Sequence, residues 1–253
     1  MGRPFCLRSR RQLITSNDNS KLKLIRKLRS RKWREQERAF VTEGEDLLAA
    51  GLAAGSVPRE VLVAAGSGLD GEEVEPVLLE AVSTLGSGTR VIAVWPALEP
   101  ASTGAAVYLH GVADPGNVGT IVRTAAALAG ARVVLGPGSA DPYSPKAVRA
   151  TMGTLFISPP ALGGIESTPK PRLGLVAHGG EEIDAALHSI GATPTLCLGG
   201  ERAGLPAEVV ERCDAVATIA LRPGAESLNV AAAAAIGLQR ISSIAARSEG
   251  VGG

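Results

Sequence analysis

The stretch AAVYLHGVADPGNVGTIVRTAAALAGARVVLG, residues 105–136, decides how the second half of this chain folds. A Val- and Leu-rich run near 106–110 meets a Pro-Gly turn, an Ala-rich helical stretch near 118–129 follows, and a second short apolar run comes near 132–136. The alternation continues downstream, with strands expected near 173–177, 194–198 and 215–220 and helices near 181–188, 206–212 and 227–246. Short Val/Leu runs interleaved with Ala-rich helices are the mark of an α/β domain, a parallel sheet covered by helices on both faces.

Upstream, PALEPASTG (96–104) has linker composition. Before it the pattern gives a smaller α/β unit: a helix over 20–35, the strand AFVTE, a helix near Asp46–Ala54, the strand EVLVAA (60–65), a helix over 72–82 and the strand RVIAVW (90–95). The expected division is a basic, disordered tail over 1–16, a small domain over 17–96, a linker over 97–104, a main domain over 105–246 and a disordered tail over 247–253.

With 253 residues, 45% of them hydrophobic, the chain can bury a sizeable core, and no uncharged apolar run reaches the ~18 to 20 residues of a bilayer span. The Arg-rich start is not followed by an apolar signal region, and Cys6, Cys197 and Cys213 are too scattered for a disulfide framework or a zinc site. These features lead us to expect a cytoplasmic protein with no bound metal. The net charge of +1 hides a strong asymmetry. Thirteen Lys and Arg against three acids in residues 1–38 give +10, while thirteen basic and twenty-two acidic residues give −9 to the rest. A basic head on an acidic body points to a polyanionic partner, nucleic acid ahead of anionic membrane. Leu22, Ile25, Leu28 and Trp33 recur near helical spacing between these charges, so the head is expected to form a basic amphipathic helix.

GSGLDG (Gly66, Gly68, Gly71) fits the dinucleotide fingerprint between an expected strand and an expected helix, which keeps a nucleotide-dependent oxidoreductase as a weak alternative. Asp70, Glu72, Glu73 and Glu75 crowd the place where a pyrophosphate would sit. LGGERAGLP lacks the Lys-Ser/Thr of a phosphate loop, and His110, His178 and His188 show no ligand spacing.

Polar residues in small-residue loops at expected strand ends are better candidates, because ligands of open α/β sheets bind at that edge. Asn117 is expected as the N-cap of a helix that carries Arg123. Lys146 and Arg149 stand one turn apart in SPKAVRATMG and suit a phosphate. Glu201 follows the paired glycines of LCLGGERAGLP, and Ser227 and Asn229 stand at the mouth of the last helix.

Together DPGNVGTIVRTA, LGGERAGLP and ESLNVAAAAAI resemble the three motifs of the SpoU-type (TrmH-like) RNA 2′-O-methyltransferases of the SPOUT class, in order and at similar spacing over residues 105–246. SNDNSKLKLIRKLRSRKWREQERAFVTEGEDL is similar to the opening of the small RNA-binding domain often fused to them. The resemblance implies a carboxyl-terminal trefoil knot, a homodimer, S-adenosylmethionine as methyl donor and structured RNA, ribosomal first and transfer RNA second, as acceptor. It further implies that Gly199, Gly200, Ile219, Leu221 and Leu228 line the donor pocket. Arg123 would act on the target hydroxyl, with Asn117, Glu201, Ser227 and Asn229 ordering the reactants. RNA contacts would come from Lys23, Arg26, Lys27, Arg31, Lys146 and Arg149. A guanidinium keeps its proton, so Arg123 is read as a phosphate-bound clamp on the developing alkoxide rather than as a base. Two departures bear on donor affinity: Gly200 stands where the family commonly has Asn, and Ala220-Leu221-Arg222 replaces an Ile-Pro-Met-like run. A non-catalytic RNA-binding protein on the same fold is a further alternative, although Asn117, Arg123 and Asn229 are all present.

Overall fold

The structure, a computed structural model, describes residues 13–85, 88–100, 103–190, 193–224 and 226–250. Arg3, Arg8, Arg10, Arg11 and Cys6 of the basic head, and residues 251–253 of the expected tail, lie outside the described residues. Two compact units are present, one of residues 1–98 with 143–149 and one of residues 99–142 with 150–253.

The first unit begins with α1 (Ser20–Leu28) and α2 (Arg31–Glu37), not with one helix over 20–35. Asn19 caps α1 by accepting from Lys21 N at 2.9 Å, and Leu22, Ile25 and Leu28 are buried as their spacing requires. The break falls at Ser30, whose extended backbone (φ −93°, ψ 136°) no continuous helix allows. Arg34, not Trp33, is the buried residue of α2, and its Nη1 donates to the carbonyl of Leu28 at 2.6 Å. A helix carbonyl left without an intrahelical partner is thus satisfied by a charged side chain that sequence reading assigned to RNA or solvent.

There follow β1 (Ala39–Glu43), α3 (Glu45–Ala53), β2 (Glu60–Ala64), β3 (Glu72–Val74), α4 (Pro76–Val82) and β4 (Val91–Pro96), with the strands in the order β1-β4-β2-β3. The helix expected over 72–82 starts only at Pro76, because residues 72–74 pair with β2 as a parallel strand. GSGLDG therefore turns from strand to strand, and the dinucleotide reading fails because β3, not a helix, follows its glycines. Residues 13–16 depart from the expected tail: Ile14 is buried, and its backbone bonds to Glu73 and Glu75.

In the second unit the order is β5 (Ala106–His110), α5 (Pro115–Ala129), β6 (Arg132–Leu135), α6 (Pro145–Ala150), β7 (Ala161–Leu162), β8 (Arg172–Leu175), β9 (Glu181–Glu182), α7 (Ile183–Ile190), β10 (Thr195–Gly199), α8 (Ala207–Val210), β11 (Ala215–Thr218) and α9 (Val230–Gly250). Residue 150 closes α6 in this unit, the rest of that helix clustering with the first. Among the described residues seven strands form one sheet, β7-β6-β5-β10-β8-β11-β9, and every pairing is parallel. Alternation along the strands shows both faces covered. Val107, Leu109, Val133, Leu135, Leu196 and Leu198 join one core with α5, α7 and α9, whereas Tyr108, Val134 and Cys197 join another with Ile165 and Val209. The last helix runs to Gly250, past the expected boundary at residue 246. Among the described residues no helix is long and apolar enough to cross a membrane, no group of three or more His, Cys, Asp or Glu stands ready to hold a metal ion, and Cys197 and Cys213 are free.

Candidate active site

The chain reverses direction across the sheet at β5 and β10, which are neighbours although about ninety residues apart in sequence. From β5 the sheet grows one way through β6, and from β10 it grows the other way through β8 and β11. A parallel sheet opens a crevice at such a point, beyond the carboxyl ends of its strands. The loop after β10, Gly199–Gly204, stands in that crevice. A Cβ on Gly199 would lie 2.0 Å from the carbonyl carbon of Gly204, so only glycine permits the fold-back, which is closed by Gly204 N donating to Gly200 O at 2.8 Å.

Beside this loop lies a cleft of about 350 Å³, lined by Gly199, Gly200, Ile219, Leu221 and Leu228 together with Glu201 and Ser227. All five residues expected at the donor therefore face one space, within the size range of small-molecule sites. Leu175, Val176 and Ala177, at the end of β8, line it as well. Sequence reading missed them, although a strand end neighbouring β10 was the available signal. Apolar side chains flanking exposed backbone amides fit a flat heterocycle with polar edges, as in an adenosine.

At the rim the three motifs meet. Asn229 Nδ2 donates to Asn117 Oδ1 at 3.2 Å, and Asn117 Nδ2 donates to Glu201 Oε1. Helix capping makes this possible in a way the sequence did not disclose. The N-cap of α5 is Asp114, which accepts from Asn117 N at 3.0 Å, and not Asn117. Pro115 fixes the first helical position and moves the start three residues upstream, which leaves the Asn117 side chain free to reach across. Asn229 is itself a cap: its Oδ1 accepts from Ala231 N at 2.9 Å and Ala232 N at 3.3 Å, so the last helix starts at Val230 rather than 227. Ser227 is exposed on the cleft. Arg123 is exposed about two turns along α5 from Asn117, outside the cleft and without a partner among the described residues.

The expected RNA contacts are more occupied than their charges suggest. Lys23 pairs with Asp18 at 2.9 Å, Arg31 with Glu35 at 2.8 Å, Arg26 donates to Asn17 O at 3.0 Å, and Lys27 Nζ lies 4.5 Å from the Trp33 ring centroid. Within the first unit Arg149 donates to Thr84 Oγ1 at 3.0 Å, and Lys146 is exposed on α6. Lys21 lies between Glu60 (2.6 Å) and Glu72 (2.5 Å). Burial opposes its charge, but the bonds to both carboxylates outweigh burial and raise its pKa above the ordinary lysine value. Arg29 Nη2 donates to Ser83 O at 2.9 Å, and buried Glu43 accepts from Ser83 Oγ at 2.6 Å and Thr84 N at 2.9 Å. Part of the basic head thus holds the first unit together.

The chain is similar to known RNA methyltransferases. Residues 104–239 match the SpoU rRNA Methylase family, and residues 19–97 match the MRM3-like substrate binding domain. The 23S rRNA (guanosine(2553)-2′-O)-methyltransferase RlmP of Bacillus subtilis (strain 168) is 31% identical over 242 residues, covering 88% of this chain and 96% of that protein. The structure of an AdoMet-bound rRNA methyltransferase from Sinorhizobium meliloti superposes with a TM-score of 0.79 at 28% identity, covering 92% of this chain and 98% of that one. A putative RNA methyltransferase of the TrmH family from Porphyromonas gingivalis gives 0.72 at 32% identity, covering 87% and 96%. Three motifs joined at one cleft, on a parallel sheet of this order and with matches over both halves, have one reading: the chain belongs to the SpoU rRNA methylase family.

Proposed function

We propose that this protein methylates a ribose 2′-hydroxyl of ribosomal RNA with S-adenosylmethionine as donor, and that its first unit holds the RNA while its second carries the chemistry. The observation that carries the reading is the chain Asn229–Asn117–Glu201 at the rim of a cleft faced by Gly199, Gly200, Ile219, Leu221 and Leu228.

Bound S-adenosylmethionine supplies a methyl group already activated by its sulfonium. The protein's part is to hold that group, bring the ribose oxygen in line with it and stabilise the charge that develops on oxygen. The backbone of Gly199 and Gly200 and the side chains of Ile219, Leu221 and Leu228 hold the adenosine. Asn117, locked between Asn229 and Glu201, orients the ribose, and Ser227 bonds the donor's polar portion. Arg123, exposed and without a partner among the described residues, keeps its guanidinium donors for the RNA, where it bridges phosphate and alkoxide. The proton leaves to water or to a phosphate oxygen.

A homodimer belongs to the same reading. Its support is apolar exposure on the two helices that pack together in this unit: Leu128 of α5 and Ile236 of α9 are each 37% exposed. A trefoil knot over the carboxyl-terminal part and a cytoplasmic location, where ribosomal RNA is available, complete it. Calorimetry with S-adenosylmethionine and S-adenosylhomocysteine tests the donor, sedimentation tests the dimer, and mass mapping of 2′-O-methyl groups in RNA from cells with and without the protein tests the acceptor. A missing methyl group in 23S or 16S RNA is expected. Loss confined to transfer RNA would move the activity to the tRNA alternative, and failure to bind either donor or product would refute the enzyme reading.

A further inference from the structure

The loop Gly200–Gly204 has a second side. There the ends of β5 and β6 border an open cleft of about 810 Å³ that shares the five residues Gly200–Gly204 with the donor cleft. Its remaining walls come from His110, Gly111, Asp114, Pro137, Gly138 and neighbouring small residues. Small side chains leave flat walls, and His110 is the one aromatic ring among them.

The His110 ring is held. Tyr108 OH lies 3.1 Å from His110 Nδ1, and Tyr108 itself is buried at 1% exposure. Gly136 makes room for that hydroxyl, since a Cβ there would lie 2.2 Å from it. Burial, with a smaller contribution from Glu166, raises the Tyr108 pKa, so the phenol stays protonated. With Nδ1 engaged on the core side, the opposite ring edge and Nε2 are turned away from the core. An acceptor ribose must approach the donor's methyl group, so its nucleotide has to contact the same Gly200–Gly204 loop from a side the donor does not fill.

We propose that this second cleft receives the unstacked base of the nucleotide being methylated, with His110 Nε2 bonding the base edge and Tyr108 positioning His110. The inference rests on the methyl-transfer reading and deepens it by assigning a base-reading residue. Sequence-selective RNA recognition targets bases taken out of the stack, read by edge bonds and by contact with rings, and an open cleft beside the reactive group gives an unstacked base a way in.

The test uses the full chain saturated with S-adenosylhomocysteine and titrated with each of the four nucleoside 5′-monophosphates, following the histidine imidazole signals by NMR. The expected result is that at least one monophosphate shifts His110 and leaves His178 and His188 unmoved. His110→Phe keeps a ring but removes Nε2, and it should weaken that binding about fivefold or more, while His110→Gln restores part of it. Tyr108→Phe should weaken binding less, because the ring stays but loses its tether. On ribosomal RNA the His110→Phe protein should show a raised KM with unchanged kcat and unchanged donor affinity. Thermal melts of each variant separate loss of the contact from loss of the fold. The proposal is overturned if no monophosphate moves His110, if S-adenosylhomocysteine alone produces the shift, or if KM is unchanged in a folded His110→Phe protein. Absence of donor binding would be a different failure, visible before any nucleotide is added, and it would remove the methyl-transfer reading itself.

Discussion

A Cβ on Gly200 would lie 2.3 Å from the carbonyl oxygen of Gly111, so the loop after β10 rests directly on the backbone of the loop after β5. Gly111 N is in turn bonded to Pro137 O at 2.9 Å, which ties that loop to the end of β6. The resemblance puts Asn at position 200 in many relatives. In this chain the space for such a side chain is filled by backbone, which cannot rotate aside.

Restoring the relatives' residue should therefore harm this protein. Gly200→Asn and Gly200→Ala must displace the Gly111 carbonyl, an overpacking that costs about 1–3 kcal/mol. Scanning calorimetry should show a lower Tm and titration calorimetry a weaker donor. Wild-type stability together with wild-type donor affinity in Gly200→Asn would show that the Gly111 loop moves aside freely.

Asn229 serves two functions that different substitutions separate. Asn229→Ala removes the cap of α9 and should cost about 1 kcal/mol as well as activity. Asn229→Asp keeps an acceptor for Ala231 N and Ala232 N, and a negative charge suits a helix N-terminus, so stability should hold. It cannot donate to Asn117, so methyl transfer should still fall. Equal turnover in Asn229→Asp and wild type would show that the bond to Asn117 has no part in the reaction.

Arg123→Ala should leave donor binding and Tm unchanged, because the side chain is exposed and without a partner among the described residues. Transfer should fall by ~10² to 10³, the usual cost of one charge-stabilising group. Arg123→Lys should recover little, since an ammonium lacks the planar fork. Single-turnover rates at saturating donor are the measurement, and near-normal rates would exclude Arg123 from the mechanism.

Changing Lys23, Arg26, Lys27 and Arg31 to Gln should weaken RNA binding and flatten its salt dependence. Two of the four are already paired, with Asp18 and Glu35, so the slope of log affinity against log salt should change by about 1 to 3 rather than by four full contacts. Filter binding over a salt series reads this, and donor affinity should not change. An unaltered slope in a folded variant would make these residues a solvated face.

Lys21 should give the first unit an alkaline limit. Its folded pKa is raised, so its pairs with Glu60 and Glu72 contribute fully below the unfolded value of about 10.4 and are lost as pH rises through the folded value. Urea denaturation followed by fluorescence of Trp33 and Trp95, both in this unit, should therefore show a flat contribution from pH 7 to 9 and a decline above about pH 10. Lys21→Met should weaken that decline. An identical alkaline profile in the variant would mean that the pairs contribute nothing.

The sequence by itself determined the parallel α/β half, because its strands are buried on both faces and read as unbroken apolar runs such as residues 106–109. It also placed Glu201, Ser227 and Asn229 in small-residue loops at expected strand ends, and the resemblance of its three motifs implied that Gly199, Ile219 and Leu228 would share a pocket with them. Three things were decided only by the tertiary structure. Residues 72–74 form a strand because β2 offers them an edge, an interaction no local window contains. Arg29 and Arg34 serve the fold because their carbonyl partners lie, respectively, just past the end of α4 and at the last residue of α1. The link from Asn229 through Asn117 to Glu201 exists because β5 and β10 are neighbours and Asp114 takes the cap. Local periodicity records which face of an element is buried, while partners 84 and 112 residues away are chosen by strand order, which a one-dimensional pattern does not carry.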